Sequence, residues 1–245
     1  MNSRPVHLRP AFELADRVLL PGDPHRALAV AQSLLDAPKM FNHSRGLWGY
    51  TGLARDGLPL TVQSTGIGGP SAAIVCEELI ALGARRLVRI GTCTAIATAL
   101  ALGDLLAVQA VLPADGTSGA LGAGGPLRPA AVLSERLVAA GARPATVVTS
   151  DLFYESRDGI AREWIKRGAT AVDLAAAAVL QVAGRHGVEA ACALAVTGVG
   201  GENAARASRE EVEAVGVRLG EAGYSALAGP ASIVEPRAAV EATTR

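Results

Sequence analysis

Residues 17–35 read RVLLPGDPHRALAVAQSLL, and this stretch decides the fold class. The aliphatic run 17–20 is short, continuous and bounded by Pro21-Gly22-Asp23-Pro24, the pattern of a buried strand ending in a tight turn. Over 25–35 the apolar positions are Ala27, Ala29, Val30 and Leu34, which gather on one side at helical spacing. A strand running through a turn directly into a helix is the repeating unit of α/β proteins.

The same alternation continues along the chain. Segments 48–53 and 58–64 read as strands joined by a turn at Asp56-Gly57. Pro70 suits the first position of a helix running to Leu82 and ended by Gly83. Further strands are expected at 87–90, 105–111, 146–150, 169–172 and 191–197, and helices at 130–140 and 174–186. Ser208 with Glu211 three residues on is a capping box opening an amphipathic helix over 208–226. The Gly-rich run 116–125 (GTSGALGAGG) reads as a flexible surface loop or lid, and it lacks the closing Gly-Lys-Ser/Thr of a P-loop. There is no internal repeat and no linker. The expectation is an α/β protein whose single domain spans 1–245, with a mixed central β-sheet flanked by helices and a weakly ordered tail after about 230.

Composition narrows the function classes. Half of the 245 residues are hydrophobic, enough for one sizeable core. A formal net charge of zero argues against a general nucleic-acid or membrane-surface role, and 3% aromatic residues leave little for base-stacking platforms. Cys76, Cys93 and Cys192 are odd in number and show neither C-x-x-C nor metal spacing, so reduced thiols in a cytoplasm are the simplest reading. The N-terminal MNSRPVHLRPAF has no apolar core of a signal peptide. The apolar stretch 171–183 is too short to span a bilayer and is interrupted by Asp173 and Gln181.

Three segments carry chemistry. Gly22 lets backbone approach a ligand, the helix start after it attracts anions, and Arg26 adds a charged fork in the first turn. In Arg89-Ile90-Gly91-Thr92-Cys93-Thr94, an arginine follows a buried strand and is costly to bury unless it meets an anion or a carboxylate. Thr92 supplies a hydroxyl donor; internal pairing of Arg89 with Glu77 or Glu78 is the competing reading. Gly66-Ile67-Gly68-Gly69-Pro70-Ser71 has the wrong spacing for a dinucleotide fingerprint and fits a loop that lays a small ligand against a helix start.

These segments, together with RGLWGYTG, EELIALGARRLVRIGTC and TSDLFYESRDG, resemble in order and spacing the hexameric purine nucleoside phosphorylase and uridine phosphorylase branch of the nucleoside phosphorylase/nucleosidase family, over about 7–198. The resemblance implies a nucleoside phosphorylase-like fold and a pentosyltransferase that uses inorganic phosphate as co-substrate and needs no cofactor or metal. It implies that Gly22, Arg26, Arg89 and Thr92 hold phosphate, with Arg45 supplied by a neighbouring subunit. His7, also from the neighbour, would reach the ribose 5′-hydroxyl, Phe153 and Tyr154 would flank the base, and Ile67 would pack on the ribose. A homo-oligomer with a dimer as its working unit follows, with the hexamer of that branch as the larger form. The physics agrees: arginines and a hydroxyl hold a dianion beneath an oxocarbenium-like sugar without covalent chemistry.

Two catalytic positions, and one neighbour of the first, depart from the family pattern. In Val172-Asp173-Leu174-Ala175, Ala175 stands where the family has a glutamate that grips the 2′- and 3′-hydroxyls, and Leu174 where a methionine packs on the sugar. Asp173, two residues earlier, is a candidate substitute or a structural carboxylate. Gly198 stands where purine-type members place the aspartate that acts as general acid, a contribution typically worth about 10²–10⁴-fold. After the Phe-Tyr pair, Arg157 is the only donor similar to those that hold uracil in uridine-type members, with a solvated loop arginine as the other reading, and Glu202 and Asn203 lie just beyond Gly198. The expected activity is therefore phosphorolysis of a non-standard nucleoside. The alternative is a catalytically silent member that binds an anionic metabolite or serves as a partner subunit.

Overall fold

A computed structural model of the chain describes residues 5–201 and 204–229. The deciding stretch folds as a strand, β1 (Arg17–Pro21), and a helix, α1 (Pro24–Leu34), with Asp23 as the helix cap. Then follow β2 (Leu35–Asn42), a 3-10 turn (Ser44–Gly46), β3 (Gly49–Ala54), β4 (Pro59–Gln63) and α2 (Gly68–Ala81). The middle of the chain gives β5 (Arg86–Ala95), β6 (Leu105–Ala114), α3 (Gly116–Ala120), α4 (Ala131–Ala139), β7 (Arg143–Ser150) and α5 (Ile160–Lys166). The last part gives β8 (Ala171–Asp173), α6 (Ala176–His186), β9 (Glu189–Val199), β10 (Ala205–Arg206) and α7 (Arg209–Leu227).

The strands form one 10-stranded mixed sheet in the order β10-β9-β6-β7-β8-β5-β1-β4-β3-β2, with an additional β9–β5 pairing. That pairing closes β5, β9, β6, β7 and β8 into a ring, from which β1, β4, β3 and β2 extend as an open wing. β1 runs parallel to both β4 and β5, so their C-terminal ends meet on one side. In open α/β sheets, ligands collect at that edge.

Two apolar clusters sandwich the sheet. One takes Ala72, Val75, Cys76 and Leu79 of α2 and Ala176–Val179 of α6. The other takes Ala27, Val30 and Leu34 of α1, Leu133 and Leu137 of α4, and Val215 and Leu219 of α7. Glycines let α7 lie close: a Cβ at Gly220 would come within 2.8 Å of Val30, and one at Gly223 within 2.8 Å of Leu19 and Ile90. The predicted capping box of α7 is present, with Glu211 N donating to Ser208 Oγ at 3.2 Å and Ser208 N to Glu211 Oε2 at 2.7 Å.

The α/β class and mixed sheet match the sequence reading; β2, α3, α5 and the two-residue β10 are additions to it. β2 was not anticipated: it is an edge strand with Ala37 at φ 42 next to Pro38, and its mostly exposed middle carries no alternation. The Gly-rich run 116–125 is not loop throughout: Asp115 accepts from Ser118 N at 2.7 Å and caps the short helix α3. α5 fills the space after Gly159 and seats Trp164 in a small cluster with Leu112, Val148 and Ala169. The tail after about 230 lies outside the described residues. No helix among the described residues is long and apolar enough to cross a membrane.

Candidate functional site

A cleft of about 630 Å³ opens where β1, β5 and β8 end. Gly22 and Arg26 line it from the β1–α1 turn, Gly66–Gly68 from the start of α2, and Arg89, Gly91, Thr92 and Thr94 from β5. Val172, Asp173 and Leu174 close the floor, and Leu152, Phe153 and Tyr154 stand over the mouth. The loop at 65–68 is tied to β1 by Thr65 N donating to Pro21 O at 2.8 Å, and to α2 by Ser71 Oγ donating to Thr65 O at 2.6 Å.

Arg89 is the buried centre of the polar end. Its Nε and Nη2 lie 3.2 and 3.1 Å from Asp173 Oδ2, while its buried Nη1 has no hydrogen-bond partner. Leaving a buried charged donor unmade is expensive, and such a group points to a ligand. Gly91 makes this arginine possible. A Cβ there would sit 2.9 Å from Arg89 Nη2 and 2.9 Å from Leu194 Cδ2, so only glycine lets the guanidinium fold back over the strand.

Internal pairing of Arg89 is real, but its partner is Asp173. Glu77 faces His186, with Nε2 to Oε2 at 2.6 Å. Glu78 accepts from His7 Nδ1 at 2.7 Å and from Leu8 N at 2.7 Å. Burial works to raise the Glu78 carboxyl, but the hydrogen bonds from Leu8, His7 and Val6 outweigh it and hold it below the usual range.

Asp173 is committed within the protein. Besides Arg89, it accepts from Thr149 Oγ1 at 2.6 Å, from Ala175 N at 3.0 Å and from Ala176 N at 2.9 Å, so it caps α6 and ties β7, β5 and α6 together. Ala175 is fully buried in the apolar cluster below and does not line the cleft. Leu174 does.

Arg26 is the second cation. Its stem lies against Gly216 of α7, where a Cβ would meet Arg26 Cγ and Nε at 3.3 Å. Burial lowers its pKa, Asp23 works in the opposite direction, and nearby Arg89 lowers it further. Arginine stays charged in proteins regardless. The start of α1 is not open to anions as the sequence suggested, because Asp23 Oδ1 accepts from Arg26 N at 2.7 Å. The attraction for anions therefore rests on the two guanidinium groups.

The apolar end is exposed. Ile67 is 85% and Tyr154 87% exposed, and Phe153 and Tyr154 meet edge to face with centroids 5.0 Å apart. Arg45 lies elsewhere, exposed in the 3-10 turn with φ 59, and His7 is held on α2 by Glu78; neither reaches this cleft within one chain. Arg157 is bound to Glu155, Nη2 to Oε2 at 2.6 Å, outside the cleft. Glu202 and Asn203 lie outside the described residues.

Gly198 lines a second recess of about 320 Å³ with Thr94, Gly200 and Arg206, and Thr94 also lines the main cleft. Arg206 pairs with Gly198 across β9 and β10, and its Cζ lies 4.8 Å from the centre of the Phe153 ring. Sequence reasoning missed Arg206, since only the strand register shows that it faces Gly198. Among the described residues, no group of three or more His, Cys, Asp or Glu could hold a metal ion.

The model of the phosphorylase superfamily matches residues 16–228. A purine nucleoside phosphorylase of DeoD type from Caldanaerobacter subterraneus subsp. tengcongensis is 32% identical over 194 residues, covering 76% of this chain and 83% of that protein. One from Alkaliphilus metalliredigens is 33% identical over 196 residues, with coverage of 76% and 83%. The crystal structure of uridine phosphorylase from Vibrio fischeri ES114 superposes with a TM-score of 0.76 at 23% identity, covering 87% of this chain and 91% of that one, a likeness of fold.

Proposed function

Because the chain belongs to the nucleoside phosphorylase family of the phosphorylase superfamily, we propose that it uses inorganic phosphate to cleave the N-glycosidic bond of a nucleoside altered at the sugar. The observation that carries this reading is the partnerless buried Nη1 of Arg89, beside Arg26 and Thr92 at one end of a cleft whose other end is walled by Ile67, Phe153 and Leu174. Phosphate fits the polar end: two guanidinium groups and a hydroxyl meet its oxygens with charge-assisted hydrogen bonds. Gly22 and Gly66–Gly68 bring backbone to the same place.

The sugar proposal rests on Ala175 and Asp173. Ala175 offers no acceptor, and the oxygens of Asp173 are occupied by donors of the chain itself. A 2′,3′-diol would lose its waters without gaining a carboxylate, a cost of about 2–4 kcal/mol by the usual price of an unmet polar pair. A sugar lacking one or both hydroxyls avoids that cost.

Arg45 and His7 serve a neighbouring copy in this reading, so the working unit is at least a dimer, in the cytoplasm, with no cofactor beyond phosphate. Phosphate-dependent release of base from a panel of ribo-, 2′-deoxy-, 3′-deoxy- and 2′,3′-dideoxynucleosides tests it. Release that needs phosphate is expected, strongest for the deoxygenated sugars. No release from any of them would favour the second reading, a silent member holding an anionic metabolite, which Gly198 supports by leaving no general acid at its position.

A further inference from the structure

The recess at Gly198 is where a family general acid is missing, and one charged side chain occupies its rim. Gly198 and Arg206 are register partners in the antiparallel β9–β10 pair, so their side-chain directions lie on one face. A Cβ on Gly198 would point at Thr94, 3.2 Å from Oγ1, which puts that face towards the cleft that Thr94 lines. The Arg206 guanidinium stacks on Phe153, itself a wall of the cleft, at 4.8 Å. β10 thus brings a cation to the recess that adjoins the base end of the cleft at Thr94, on the face left open by the absent side chain.

We propose that Arg206 is the base-contacting residue of this enzyme and selects bases that present carbonyl oxygen at that end, such as a 6-oxopurine. This rests on the phosphorolysis reading above. Arginine only donates hydrogen bonds, so it matches a carbonyl oxygen and ring nitrogen side by side and is opposed by an exocyclic amino group. Its chemical role differs from that of an acid. As a phosphate oxygen bonds to C1′, the C1′–N bond breaks and its electron pair leaves with the base. The resulting anion delocalises onto the carbonyl oxygen, where the guanidinium stabilises it by charge and hydrogen bonds without giving up a proton. The base takes its proton from water after release. Phe153 contributes by holding the guanidinium plane through cation–π contact.

The test compares wild type with Arg206→Ala and Arg206→Lys, each checked for an unchanged thermal transition. Binding of free hypoxanthine and adenine in saturating phosphate is measured by calorimetry, which needs no turnover. Arg206→Ala is expected to weaken hypoxanthine by about tenfold and adenine by less than about twofold, with Arg206→Lys between, since Lys keeps the charge and loses the fork. In turnover, the loss should grow as the leaving base becomes less acidic. Equal losses for both bases, or none, would overturn the proposal and leave Arg206 as a clasp on Phe153. Absence of phosphate-dependent cleavage in wild type would sink the phosphorolysis reading by itself, and the binding comparison would still decide whether Arg206 reads the base.

Discussion

Arg89 and Asp173 lie 84 residues apart in sequence and 3.1 Å apart in space, a buried ion pair at the floor of the cleft. The pair uses Nε and Nη2 and leaves the buried Nη1 without a partner. Arg89→Ala should therefore weaken phosphate by at least about 1.5 kcal/mol, as expected of a charge-assisted contact. Thermal stabilisation by phosphate, titrated at matched ionic strength, reads this out. Equal stabilisation of wild type and variant would count against an anion site here.

Gly91→Ala is a gentler probe of the same pair. The added methyl would press on Arg89 Nη2 and Leu194 at 2.9 Å, so the guanidinium must move. A cost of about 1–3 kcal/mol in stability is typical of such overpacking, and phosphate affinity should fall with it. Unchanged affinity in a folded Gly91→Ala protein would show that the Arg89 position is not critical.

Much of this arrangement was legible in the sequence, and the limits have physical causes. The strand–turn–helix unit around Gly22 shows because buried parallel strands are continuous apolar runs with punctuated ends. That Arg89 needs an anion or a carboxylate was legible too. Which one was not, because Asp173 arrives through the antiparallel β5–β8 pairing, a tertiary fact. β2 escaped detection because an exposed edge strand carries no burial pattern. Arg206 escaped because its only signal is register with Gly198.

A second buried arginine predicts acid sensitivity. Arg17 is 1% exposed and grips Asp56 through two contacts of 2.6 Å. The hydrogen bond from Arg17 holds the Asp56 carboxyl well below the usual range; burial opposes this, and the N–H groups of Gly229 and Leu58 assist. A carboxyl with a depressed folded pKa stabilises fully above its unfolded value of about 3.9, and this is lost as pH falls towards the folded value. Asp56→Ala should cost about 3 kcal/mol at pH 7, because it strands a buried charge. The gap between variant and wild type in urea denaturation should narrow below about pH 4. A gap independent of pH would mean that the pair contributes through packing alone.

Arg45 predicts assembly. It is an exposed arginine at φ 59, a conformation costing about 1 kcal/mol for a non-glycine residue, and it makes no contact with the cleft of its own chain. In the proposed function it completes a neighbour's phosphate site. Light scattering should show a dimer or larger form at micromolar concentration, and Arg45→Ala should weaken phosphate while leaving that mass unchanged. A monomer at such concentrations would remove the role assigned to Arg45 and His7.

The sharpest consequence concerns the sugar. A site with a carboxylate on the 2′- and 3′-hydroxyls rejects a sugar lacking them by orders of magnitude, because the buried acceptor is then left unpaired. Here that position is Ala175, fully buried in apolar neighbours, and Asp173 is occupied by Arg89, Thr149 and the start of α6. Neither of these two positions rewards the diol. Inosine, adenosine and uridine should accordingly be poor substrates, at least about 10³-fold below the ordinary range of roughly 10⁴–10⁸ M⁻¹s⁻¹ in kcat/KM. The missing diol grip and the missing acid at Gly198 touch different parts of the substrate, so their costs add at least in part. Gly198→Asp alone should not repair this. Its Cβ would crowd Thr94 at 3.2 Å, and its carboxylate would face Arg206, which favours the ionised form and makes it a poor proton donor. The decisive ratio is kcat/KM for inosine over 2′,3′-dideoxyinosine, which cancels phosphate and base effects. A ratio at or below about one is expected; a ratio above about thirty, the lower range for a lost polar contact, would mean that another group of the assembled protein holds the diol.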